Sequence, residues 1–217
     1  MALTLNIPET LNEVTLGQYQ HWIKITEGED MSTFYQQKMI EIFCKVDLKS
    51  VLKMKAKDIN QVTIHLNKMF EEKPVFIPRF KMNEKEFGFI PKLDDISFGE
   101  YIDLDTYLAE WSTMDKAMAV LFRPITDSRK EKYLIEEYET ADKYDVSLMP
   151  LGVAMGAIFF FLNLNNELLK HILSFLSKQT DVSLPPQVIA SLKNGIGFKL
   201  FTDLPMATSD VLMTSPE

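Results

Sequence analysis

The chain has 217 residues, 46% hydrophobic and 25% charged, which supports one large domain or two small ones with a substantial core. Its net charge of −8 and pI near 5.0 exclude a general nucleic-acid binder, because neutralising phosphates takes surplus Lys and Arg. The single cysteine, Cys44, excludes an intrachain disulfide.

The amino terminus, Met1 to Asn12, has neither a basic nor an apolar signal region, so residence in a cytoplasm is expected. After the apolar residues Leu3, Leu5 and Ile7, the run Glu13-Val14-Thr15-Leu16-Gly17-Gln18-Tyr19 opens a helix through about Thr26. Thr15 stands at the N-cap and Gln18 three residues later, so each can satisfy the other's unpaired backbone donor. Val14 and Tyr19 occupy the two positions that a hydrophobic staple joins. A second helix starts at Ser32 and carries Tyr35, Met39, Ile42, Phe43 and Val46 at helical spacing, with Cys44 as a small apolar neighbour. A turn capped by Asp47 leads to a helix over about Ile59 to Glu72, burying Ile59, Val62, Leu66, Met69 and Phe70, and Pro74 ends it.

From about 75 to 91 the period changes. Aromatic and β-branched residues flank Asn83-Glu84-Lys85, which predicts a β-hairpin whose strands lie at an edge, since Pro78 and Pro91 donate no ladder bond. Asp95-Ile96-Ser97-Phe98-Gly99-Glu100-Tyr101 then repeats the first helix start almost term for term and predicts a helix from Phe98 to about Glu110. The repetition has two readings: two good helix starts alike by chance, or two related helical lobes over 10–72 and 93–179. A further helix is predicted from Ser112 to Arg123, stopped by Pro124, followed by a charged surface excursion over Thr126 to Tyr144 with a short helix or strand.

Val146 to Asn166 contains no charged residue. It reads as a long buried central helix that continues amphipathically through Leu168, Leu169, Ile172, Leu173 and Leu176; a membrane span is the alternative. Gly152, Ala154, Gly156 and Ala157 would let neighbouring helices approach closely. The expected fold is therefore mainly α: a helical bundle around a long apolar central helix, with one β-hairpin and an extended C-terminal arm, divided as a domain over 1–179 and an arm over 180–217. In the arm, Ile196, Phe198, Leu200, Phe201 and Leu204 are too apolar for a purely solvated tail and too few for a core. Together with Phe76, Phe87 and Phe89 of the hairpin they are the expected partner-binding residues.

No catalytic pattern stands out. His21, His65 and His171 lie on separate predicted helices without metal-ligand spacing, and Cys44 has no adjacent base. Acid pairs such as Asp103 with Asp105 and Glu136 with Glu137 are ordinary on amphipathic surfaces, and no phosphate-cradling glycine motif occurs. The lysines from Lys45 to Lys57 and the acids from Asp94 to Glu110 read as solvated helix faces. The expectation is no enzyme activity, no cofactor and no metal; an enzyme with a buried carboxylate or His site is the alternative.

Several blocks resemble a group of late morphogenetic proteins of tailed bacteriophages: Phe87-Gly88-Phe89-Ile90-Pro91, Ile96 to Leu104, Lys116 to Ile125, Tyr133 to Tyr138, and Met149-Pro150 leading into Phe159-Phe160-Phe161. The resemblance covers roughly residues 10 to 178 and is similar in style to helical tail-assembly chaperones. It implies a virion-assembly protein, either a chaperone or a minor structural component. The implied partners are other phage structural proteins or copies of itself, in the host cytoplasm or the virion, with no nucleic acid and no membrane.

Overall fold

The computed structural model describes residues 5–27, 33–130 and 132–179, without the side chains of residues 165, 166, 168, 169, 172, 173 and 175–179. A short 3-10 turn at Leu11–Glu13 precedes helix α1 (Leu16–Thr26), α2 (Thr33–Phe43), α3 (Leu48–Val51) and α4 (Ala56–Phe70). The hairpin strands are β1 (Arg79–Met82) and β2 (Lys85–Phe89). Helix α5 (Phe98–Tyr107) and a 3-10 turn at Trp111–Thr113 lead to α6 (Met114–Leu121), β3 (Phe122–Arg129), β4 (Lys132–Ile135) and α7 (Leu151–Gln179).

Both repeated starts form complete capping boxes. The Thr15 hydroxyl accepts from the Gln18 amide at 3.2 Å while the Gln18 side chain accepts from the Thr15 amide at 3.0 Å. Ser97 and Glu100 do the same at 3.3 and 2.6 Å. Each N3 side chain also reaches a distant element: Gln18 donates to the Ile42 carbonyl at 2.6 Å, and Glu100 pairs with Arg123. The two glycines differ. A Cβ on Gly17 would crowd the Ser147 carbonyl at 3.1 Å, because backbone 14–17 pairs with 147–151, whereas one on Gly99 would meet Ser97 Oγ and the Tyr138 ring only at ordinary contact distance, 4.0 Å.

The expected helical bundle with one hairpin is overturned. The four strands form a single antiparallel sheet in the order β1-β2-β3-β4, so the fold is mixed α and β. Strand β2 is interior, with β3 on its far side pairing Phe87 with Pro124, Gly88 with Arg123 and Phe89 with Phe122. The helix expected to run to Arg123 ends at Leu121, and Phe122 enters the strand directly, because Pro124 disfavours helix for the residue before it and denies the turn a donor. Much of the expected surface excursion is the second hairpin, β3–β4.

The long apolar central helix is also overturned. Helix α7 is 29 residues long, and among its residues with described side chains Phe161 is the last that is buried; Asn163, Leu164, Glu167, Lys170, His171 and Ser174 are exposed. Among the described residues, no helix is long and apolar enough to cross a membrane. The helix enclosed nearly all round is the eight-residue α6, with Met114 and every residue from Ala117 to Leu121 buried between α1, α5 and the sheet. Of the residues expected inside α7, Ala154, Ile158 and Phe161 are buried and Leu162 is half-buried. Gly156 is small because a Cβ there would overlap the Val75 carbonyl, so the close approach is from a connecting segment and not from a helix.

One contiguous core joins the parts. On the helical side Tyr19, Trp22, Tyr35, Phe43, Phe70 and Trp111 pack ring to ring, with Tyr19 edge-on to Trp111 at 4.8 Å. On the sheet side Phe89 meets Phe122, Phe160 and Phe161 at 5.2, 5.9 and 5.9 Å. Gln20 ties α1 to the second half of the chain by donating to the Trp111 carbonyl at 2.8 Å and to Asp115 at 2.9 Å.

Candidate interaction surface

Helix α5 is built inside out. Its solvent side carries Phe98, Tyr101 and Ile102, exposed to 77, 45 and 45%, while its inner side buries the carboxylate of Glu100 beside Leu104. Residues at i, i+3 and i+4 are neighbours on a helix surface, so the three side chains form one stripe. An ordinary surface helix places such a stripe against the core. Other exposed apolar side chains, such as Leu52, Ile64 and Leu134, sit on separate elements; scattered singly they are normal surface.

The orientation of α5 follows from its polar contacts. Glu100 Oε2 accepts from the Ser97 amide, and Oε1 lies 2.6 Å from Arg123 Nη2 of β3, with both side chains buried. Tyr138 donates its hydroxyl to the Asp103 carboxylate, and the Arg123 guanidinium lies 5.5 Å from the Tyr138 ring centre. Burial, and then the Asp103 carboxylate, hold the Tyr138 hydroxyl well above its ordinary pKa. These bonds turn Glu100 and Asp103 inward or sideways, which leaves Phe98, Tyr101 and Ile102 outward.

Helix α1 shows what the same positions do when covered. Leu16 and Tyr19 stand where Phe98 and Tyr101 stand in the second capping box; both are buried, Tyr19 against Phe70 and Trp111. Around the α5 stripe the surface is acidic. Asp94, Asp95, Asp105 and Glu110 are exposed; Lys92 is the nearest cation in sequence, and no ion pair engages these four acids among the described residues.

Of the residues expected from sequence to bind a partner, the three that are described lie outside α5. Phe87 and Phe89 are 2 and 4% exposed and belong to the protein's own core. Phe76 is partly buried, stacked on Phe160 at 4.6 Å and edge-on to Phe89 at 5.0 Å. Ile196, Phe198, Leu200, Phe201 and Leu204, with the whole expected arm, lie outside the described residues. The stripe on α5 was missed because Tyr101 reads equally well as a staple residue. The available signal was that apolar residues mark two faces of this helix, Phe98-Tyr101-Ile102 and Leu104-Leu108.

Chemistry of other kinds finds little material among the described residues. No group of three or more His, Cys, Asp and Glu side chains is arranged to hold a metal ion. Cys44 is buried, and burial pushes its thiol up to about 11, so the nucleophilic thiolate is scarce at neutral pH. His65 lies 3.0 Å from the Pro8 carbonyl, a contact that ties the amino-terminal arm to α4. Compared with protein-family models, with curated proteins and with solved structures, the chain matches none.

Proposed function

We propose that this chain is a non-enzymatic assembly protein of a tailed bacteriophage that works by binding another protein through the outer face of α5. The observation that carries the reading is the exposed stripe of Phe98, Tyr101 and Ile102 on a helix whose inner face is already fixed by a buried ion pair. Fully burying an exposed side chain of this size contributes about 1.5–3 kcal/mol, and Tyr101 and Ile102, exposed to only 45%, contribute correspondingly less than Phe98. The blocks that resemble phage morphogenetic proteins support the reading too: Ile96 to Leu104 spans the cap and most of α5, Lys116 to Ile125 spans most of α6 and the start of β3, and Tyr133 to Tyr138 ends on the Tyr138 that bonds α5.

The test is a triple variant, Phe98→Ser, Tyr101→Ser and Ile102→Ser, tagged and expressed where particles are assembled. Its thermal unfolding should match the parent, because the three side chains contribute little to the core, and its co-purification with virion proteins should be lost. Undiminished co-purification would refute the surface. Mass spectrometry of purified particles then separates a chaperone, absent from them, from a minor component, present in them.

A further inference from the structure

Resting on the reading of α5 as a binding face, we infer that its occupant is a cationic amphipathic segment of a different protein. The apolar stripe is flanked by exposed carboxylates at both ends: Asp94 and Asp95 just before the helix, Asp105 one turn beyond Ile102, and Glu110 after the helix. Apart from the exposed Lys92, the basic groups nearby are engaged in ion pairs. Lys116 pairs with Asp142 at 3.0 Å, Lys143 with Glu139 at 2.6 Å and Glu136 at 3.3 Å, and Arg123 with Glu100 inside. An interface matches potentials across itself, and like charges brought together cost affinity. A partner that covers Phe98, Tyr101 and Ile102 therefore needs Lys or Arg on both sides of its apolar contact.

The same charges argue against a second copy in this position. A two-fold contact through α5 would set Asp94, Asp95 and Asp105 of one protomer near the same acids of the other, in a chain whose net charge is already −8. The occupant complements the stripe by shape as well: residues spaced i, i+3 and i+4 present a ridge that fits the groove of another helix. Helix α1 again gives the precedent within the chain, since Leu16 and Tyr19 at the equivalent positions are buried.

The test places the photoreactive residue p-benzoylphenylalanine at Ile102 in the full chain, with the same residue at exposed Ile64 of α4 as a control. After irradiation in cells assembling particles, the cross-linked peptide is sequenced by mass spectrometry. The inference predicts a segment of another protein, with Lys or Arg flanking apolar residues at helical spacing. The further variant Asp94→Asn, Asp95→Asn and Asp105→Asn should lower the yield about tenfold, the loss of three exposed pairs of modest strength. A peptide from this chain, or one without excess positive charge, overturns the inference while leaving the binding face standing. No cross-link at Ile102 above the Ile64 control overturns the binding face itself.

Discussion

Glu100 is the residue on which the surface turns, because its two carboxylate oxygens serve two masters: one closes the cap of α5 and the other holds Arg123 of the sheet. The arrangement is costly to leave half-made. Among the described residues Arg123 Nε and Nη1 are buried without a hydrogen-bond partner, so the ion pair with Glu100 and the ring of Tyr138 are its compensation. Removing one member of a buried pair typically costs about 3–5 kcal/mol, because it strands the other charge. Arg123→Met is expected to lose stability in that range by urea unfolding. The double variant Glu100→Gln with Arg123→Met should recover much of the loss, since Gln keeps an acceptor for the Ser97 amide. A double variant as unstable as the single one would show that Arg123 acts through packing and not through Glu100.

At the scale of elements, the β1–β2 hairpin closes with two residues, Asn83 and Glu84, both at positive φ (48° and 65°). Paired positive φ values are the signature of a type I′ turn, whose twist suits a hairpin and whose second position favours glycine. Glu84 carries the left-handed conformation against the clash of its own Cβ, which costs about 1–2 kcal/mol. Glu84→Gly should therefore stabilise the protein by about 0.5–1 kcal/mol after the extra chain entropy of glycine is offset, read as a higher denaturant midpoint at constant slope; a lower midpoint would contradict the turn geometry. In β2 of the same hairpin, Gly88 has no room for a Cβ because the Tyr133 ring lies over it, with its hydroxyl donating to the Phe89 carbonyl at 2.8 Å and the Arg79 guanidinium 4.3 Å from the ring centre.

Those elements also show what was readable in the chain before its structure. The capping boxes were legible because their chemistry is local, within four residues, and the first hairpin because a polar turn separates two aromatic runs. The second hairpin was hidden. Its first strand leaves α6 without a turn residue between Leu121 and Phe122, and its outer half, Thr126 to Arg129, is polar and exposed. The length of α7 misled in the opposite direction: an uncharged run signals burial, yet Asn163 and Leu164 within it are exposed. On α5 periodicity offered two apolar faces, and the choice between them is made by Arg123, a residue brought to Glu100 only by the fold.

For the whole molecule, the single core leaves α5 as the one helix whose contiguous apolar stripe faces solvent among the described residues. The binding role proposed for that face also requires the rest of the protein to act as a rigid support, which the Gln20 contacts to Trp111 and Asp115 and the paired starts of α1 and α7 supply. The most direct measurement is hydrogen–deuterium exchange on the protein alone and in the complex isolated from assembling cells. The backbone amides of α5 should exchange distinctly more slowly in the complex, while those of α4, on which Ile64 is exposed, keep their rates. Unchanged exchange along α5, with slowing confined to another surface, would contradict the claim that this helix is where the partner binds.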